Sequence, residues 1–232
     1  MPGAVNGWPA ARSVPLIKIC GVKTPHMADH AASAGADMIG VVHFAPSPRH
    51  LSPHRAAAVA EAARGRALVV ALVVDADDAA LDALVSTARP DVLQLHGKET
   101  PARVAEIAAR HKLPVSKAHG IATATDLAAL DAYDALPVLD AKPPKGADRP
   151  GGHGAPFDWS VLSALGTRPY MLSGGLSPEN AADAVAALGP YAVDVSSGVE
   201  TGGEKDAQRI TDFIAAVLRG AAEPERVSAA RP

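Results

Sequence analysis

Short apolar runs rich in β-prone residues alternate with Ala-rich stretches along the chain. The runs lie at 16–22, 38–44, 68–74, 92–97, 115–121, 136–142, 169–175 and 192–198. The Ala-rich stretches at 26–34, 53–64, 79–87, 101–110, 125–132, 157–165, 178–187 and 206–218 read as helices. Apolar runs joined by helix-length connections predict strands of a parallel sheet, buried on both faces. Eight strand–helix units in 232 residues predict an α/β fold, a single (β/α)8 TIM barrel with a parallel eight-stranded core. An open doubly wound sheet is the structural alternative. Ser52-Pro53, Thr100-Pro101 and Ser177-Pro178 each set a hydroxyl at an N-cap and proline at the first helical position. Gly35 and Gly65 stand where helices should end.

The barrel is expected over 14–220, with 1–13 a flexible N-terminal extension and 221–232 a frayed C-terminal tail. The longest polar insertion, 143–156, follows the sixth strand. On a barrel it would lie over the C-terminal face, as a loop able to cover a ligand.

Alternation along each strand then sorts the polar residues. Lys18 and Cys20 oppose Ile17 and Ile19, and Gln94 and His96 oppose Leu93 and Leu95. Lys117 and His119 share a face with Ala118 opposite, and Asp140 shares one with Val138. Asp194 and Ser196 oppose Val193 and Val195. One face therefore turns polar toward the C-terminal ends of five strands, with His96 and His119 both expected to point inward. A satisfied buried polar residue explains one such strand; repetition over five predicts the mouth of a barrel, where enzymes of this fold place their chemistry. Ser173-Gly174-Gly175 and Ser196-Ser197-Gly198 follow the last two strands. Glycine lets backbone N–H groups approach an anion, and loops after strands seven and eight are the recurrent phosphate site of these barrels. A phosphorylated ligand is the better reading of the two together.

Composition narrows the setting. The single cysteine, Cys20, excludes an intramolecular disulfide framework and a multi-cysteine zinc site. A net charge of −3 offers no broad basic field for nucleic acid. No apolar run approaches the ~18 residues of a membrane span, and the first residues lack the apolar core of a signal peptide. The expectation is a soluble cytoplasmic protein. His26/His30 and His50/His54 have i, i+4 spacing without an H-E-x-x-H pattern, so they read as surface positions and no metal is expected. Trp8 and Trp159 read as packing residues.

The motif blocks, in order, resemble the phosphoribosylanthranilate isomerase family of tryptophan biosynthesis. They are Lys18-Ile19-Cys20-Gly21; Gly40-Val41-Val42 with Ser47-Pro48-Arg49; Gln94-Leu95-His96-Gly97; Leu139-Asp140 with Gly151-Gly152-His153-Gly154 and Phe157-Asp158-Trp159; Leu172-Ser173-Gly174-Gly175-Leu176 with Pro178-Glu179-Asn180; and Asp194-Val195-Ser196-Ser197-Gly198-Val199-Glu200 with Lys205-Asp206. The likeness runs over about 15–219. It implies an Amadori rearrangement of N-(5-phosphoribosyl)anthranilate to 1-(2-carboxyphenylamino)-1-deoxyribulose 5-phosphate, without cofactor or metal. By carry-over Asp140 is the general acid and Cys20 the general base. Arg49 holds the anthranilate carboxylate, the two glycine loops hold the phosphate, and Lys18, His96 and Asp194 line the site. Cys20 needs help to ionise at neutral pH, and Lys18, two residues back on the same face, could favour the thiolate. An Asp acid needs the opposite shift, through burial. The N-terminal extension, His119, Glu204 and the charged 143–156 loop depart from the family pattern. The implied partner is a small phosphosugar, with no nucleic acid or membrane, and the protein a monomer or homodimer. Alternatives are a non-catalytic phosphosugar-binding barrel, or another phosphosugar barrel such as indole-glycerol-phosphate synthase or a bifunctional histidine/tryptophan isomerase. Cys20 at the end of strand one argues against the two enzymes.

Overall fold

The computed structural model describes residues 7–141 and 159–222. The 143–156 insertion and the far ends of both termini lie outside them. Eight strands run parallel in chain order, and the last pairs with the first to close a barrel. They are β1 (Leu16–Cys20), β2 (Met38–His43), β3 (Leu68–Val73), β4 (Val92–Leu95), β5 (Val115–Ile121), β6 (Leu136–Ala141), β7 (Met171–Leu172) and β8 (Ala192–Val195). The doubly wound alternative is thereby excluded. Several strands end earlier than their apolar runs, and the residues so released form the loops of the mouth.

Among the described residues six α-helices pack outside: α1 (Pro25–Ala34), α2 (Pro53–Ala63), α3 (Asp78–Ala88), α4 (Pro101–His111), α5 (Ala181–Leu188) and α6 (Ala207–Ala222). None of them is long and apolar enough to cross a membrane. Thr24, Ser52 and Thr100 cap α1, α2 and α4 by accepting the N–H three residues on, each followed by proline. Ser177-Pro178 does not start a helix as expected. Ser177 Oγ accepts from the Glu179 N–H within a turn, and α5 begins only at Ala181. The stretches expected as helices in the fifth and sixth units are 3-10 helices, Ala124–Ala132 and Trp159–Leu165. Core-facing residues lie three apart at Leu127 and Leu130 in one and at Trp159, Leu162 and Leu165 in the other, where Val161 packs beside them. That spacing matches the three residues per turn of a 3-10 helix, not the 3.6 of an α-helix.

Two apolar layers result. Ile17, Ile19, Leu93, Leu95, Val193 and Val195 face the helices in the outer layer. Inside, Leu16, Met38, Val70, Val92, Ala118, Val138, Met171 and Ala192 fill the lower barrel, with Trp8 packed against them. Tyr191 Oη donates to the Pro9 carbonyl at 2.6 Å. The inner layer turns polar upward, as predicted for β1, β4, β6 and β8.

The fifth strand corrects the expected alternation. Ser116 is in register with Gln94 and Leu136, and Ala118 with Val138, so Ser116 and Ala118 point inward. Lys117 and His119 therefore face outward, away from the mouth. Lys117 Nζ lies 3.2 Å from Glu99 Oε2 and donates to the carbonyls of Gly97 and Ala118. The His119 ring meets the Tyr133 ring edge-on at 4.9 Å. Burial, with the charges of Lys117 and Arg168, pushes the His119 pKa down to about 4. An imidazole kept neutral in the fold is protonated first in the unfolded chain. Stability should therefore fall as pH drops from about 6.5 toward 4. Denaturation at pH 7 and pH 5 should show a smaller acid loss for His119→Phe than for the wild type.

Candidate active site

The C-terminal ends of the strands enclose a cleft of about 780 Å³, counting the space open to solvent at its top. Cys20, Arg49, His96, Asp140, Ser173, Gly174, Gly175, Asp194, Ser196 and Ser197 line it together. Two predicted residues do not reach its wall. Lys18 lies beneath, fully buried. Gly198 packs behind, where an added Cβ would sit 1.9 Å from the Leu176 carbonyl oxygen.

Cys20 ends β1. Its neighbour on β2 is Gly40, where a Cβ would fall 3.0 Å from both the Cys20 Cα and Sγ. The missing side chain leaves room for the thiol. Below it, Lys18 Nζ donates to Asp194 Oδ1 at 2.8 Å, and Ser173 Oγ donates to Asp194 Oδ2 at 3.4 Å. Burial works against the Lys18 charge, but Asp194 and the Cys20 sulfur outweigh it and hold the ammonium above its ordinary value. Burial pushes the Cys20 thiol up, and Lys18 pulls it back only in part. Lys18 thus acts in the expected direction without overcoming desolvation.

Asp140 is the second-to-last residue of β6, on the same inner face, and is 7% exposed. The Ala141 N–H donates to its Oδ1 at 2.8 Å, and His96 Nε2 lies 3.6 Å from its Oδ2. Gly174, at φ +80°, lies against it; a Cβ there would fall 2.5 Å from Asp140 Oδ1. Gly174 and Gly175 are both left-handed. Among the described residues no backbone carbonyl accepts from either N–H.

Arg49 enters from the β2–α2 loop, with Gly21 lacking the side chain that would strike its stem. Its Nε and Nη2 donate to Glu200 Oε1 and Oε2, both at 2.7 Å. Glu200 opens the strand β9 (Glu200–Thr201), which pairs with β10 (Glu204–Lys205). Lys205 Nζ also pairs with Glu200 and donates to the Ser196 carbonyl at 3.0 Å. Ser196 Oγ in turn donates to the Cys20 carbonyl at 3.2 Å. Glu200 and Lys205 stand within a motif block that carries no assigned role for either. Strand alternation could assign none, because both lie beyond β8. Phe44 and Ser47, in the segment that follows β2, also line the cleft.

A family model described as N-(5'phosphoribosyl)anthranilate isomerase matches residues 17–216. A curated relative of that name from Rhodopseudomonas palustris is 54% identical over 217 residues, covering 91% of this chain and 98% of the relative. The crystal structure of phosphoribosyl anthranilate isomerase from Thermotoga maritima is 33% identical with a TM-score of 0.79, over 88% of this chain and 98% of that one. A phosphoribosyl anthranilate isomerase solved in complex with reduced 1-(o-carboxyphenylamino)-1-deoxyribulose 5-phosphate is 31% identical, with a TM-score of 0.77 over the same shares. The barrel, the composition of its mouth and these relatives agree: this chain is an enzyme that belongs to the N-(5'-phosphoribosyl)anthranilate isomerase family.

Proposed function

We propose that the cleft performs the Amadori rearrangement of N-(5-phosphoribosyl)anthranilate in tryptophan biosynthesis, with Asp140 as general acid and Cys20 as general base. The observation that carries this reading is the meeting of these two residues in one cleft, from strands on different sides of the barrel. Asp140 delivers its proton to the furanose ring oxygen. The C1′–O bond breaks while the nitrogen lone pair closes a C1′=N Schiff base. The Cys20 thiolate then takes the C2′ proton, and the C–H electrons form the C1′=C2′ bond of an enolamine as nitrogen recovers its pair. Tautomerisation, with a proton to C1′, gives the C2′ ketone. Substrate and product are isomers, so the step needs no external electron carrier.

The left-handed Gly174-Gly175 turn and the Ser196-Ser197 loop offer N–H donors for the phosphate. Arg49 meets the anthranilate carboxylate through the guanidinium edge that Glu200 leaves open. Asp194 and Lys18 act from below by fixing charge under the thiol, and His96 faces the acid.

Because burial holds the thiol above its ordinary value, kcat/KM should still be climbing with pH at and above about 8.5. A pH–rate profile flat through this range would remove Cys20 as the base. Turnover tests the reaction itself: freshly prepared N-(5-phosphoribosyl)anthranilate should lose its anthranilate fluorescence when the protein is added. Tight binding of a reduced product analogue without turnover would mark a binding protein instead.

A further inference from the structure

We infer that Glu200 is a positioning residue for Arg49, orienting its guanidinium so that the open N–H edge meets the substrate's aromatic carboxylate. The inference rests on the isomerase reading above. Arg49 and Glu200 form a two-bond fork, with Nε and Nη2 each 2.7 Å from a separate carboxylate oxygen. Both side chains are largely buried, at 13% and 8% exposure. Such planar, paired contacts fix direction as well as distance. The stem is fixed from the other side, where an added Cβ on Gly21 would fall 2.4 Å from Arg49 Cδ. Stem and fork together leave the guanidinium little freedom, and Arg49 lines the cleft.

Lys205 completes the arrangement. Its side chain is 3% exposed, and its ammonium shares Glu200 Oε1 with Arg49 and holds the Ser196 carbonyl. Two cations around one carboxylate keep one net positive charge at this side of the cleft, complementary to a carboxylate ligand. Burial alone would raise the Glu200 carboxyl, but hydrogen bonds from Arg49 and Lys205 hold it below its usual range. Glu200 therefore stays ionised across neutral pH. Without it, Arg49 and Lys205 would repel each other, and the guanidinium would lose its reference.

A plain staple between the β2–α2 loop and the β9–β10 hairpin would also use such a triad. The two roles separate on substrates that differ only in the aromatic carboxylate. The test measures kcat and KM for N-(5-phosphoribosyl)anthranilate and N-(5-phosphoribosyl)aniline in wild type, Glu200→Gln, Arg49→Met and the double variant. Glu200→Gln should raise KM for the anthranilate about tenfold or more, the scale of one mis-set charge-assisted pair, with kcat within about threefold. KM for the aniline should hardly move. Arg49→Met should erase the effect, so that the double variant is no weaker than Arg49→Met alone. Glu200→Asp, which keeps the charge, should recover part of the anthranilate KM and stands in if Glu200→Gln melts below the assay temperature. Equal losses on both substrates, or losses that add to those of Arg49→Met, would reduce Glu200 to a staple. A wild type inactive on both substrates would instead overturn the isomerase reading, and this inference with it.

Discussion

Asp140→Asn is expected to lower kcat by about three orders of magnitude while leaving the affinity for a reduced product analogue within a few fold. A positioned general acid or base contributes ~10²–10⁴-fold, and a loss confined to the transition state appears in kcat. Asparagine keeps the shape of Asp140 and can still accept from the Ala141 N–H that holds Oδ1. It cannot give a proton to the ring oxygen, so the sugar stays closed. Cys20→Ala should cost a similar amount at the next step. The small side chain next to Gly40 leaves the cleft open, but nothing takes the C2′ proton. Steady-state kinetics beside a binding titration checks both. A variant that loses binding and kcat alike would indicate a collapsed cleft, not a missing proton carrier.

Lys18→Met should be the most destabilising substitution of the site. Lys18 is fully buried, and its 2.8 Å bond to Asp194 joins register neighbours on β1 and β8, where the barrel closes. Removing one partner leaves a buried carboxylate without its counter-charge, a loss of about 3–5 kcal/mol. For a domain of this size that lowers Tm by roughly 10 °C. Asp194→Asn in the same background should restore part of the loss, since the residue left behind is then neutral. Lys18 also opposes the upward push of burial on the Cys20 thiol. The rise of kcat/KM with pH should therefore move to still higher pH in Lys18→Met. A variant whose melting fell while that rise stayed in place would make Lys18 structural only.

Much of this was legible before any coordinates. The order of apolar runs and Ala-rich stretches implied the barrel, because a strand covered on both faces needs a nearly continuous apolar run. Alternation places Lys18, Cys20, His96, Asp140 and Asp194 on the inner face, where β1, β6, β8 and the residue just past β4 carry them. The same reasoning failed on β5. Ser116 and Ala118 are as small and uninformative as Lys117 and His119 are polar, so either face could have been the inner one. Only the register with Gln94 and Val138 decides, and a one-residue slip exchanges the faces. The outward Lys117 is tolerated because Glu99 and two loop carbonyls satisfy it. The 3-10 helices escaped because Ala-rich composition suggests an α-helix, while the deciding signal is the three-residue spacing of Leu127 and Leu130. The Arg49–Glu200–Lys205 triad escaped because loop residues distant in sequence meet only when the barrel closes.

In the proposed reaction one cleft divides proton transfer between Cys20 and Asp140. The most direct test follows anthranilate fluorescence after freshly prepared N-(5-phosphoribosyl)anthranilate is mixed with the wild type, Cys20→Ala and Asp140→Asn in parallel. Rapid decay is expected with the wild type and, with both variants, no more than the slow decay of the substrate alone. Turnover surviving in Cys20→Ala or Asp140→Asn at near wild-type rate would contradict that division.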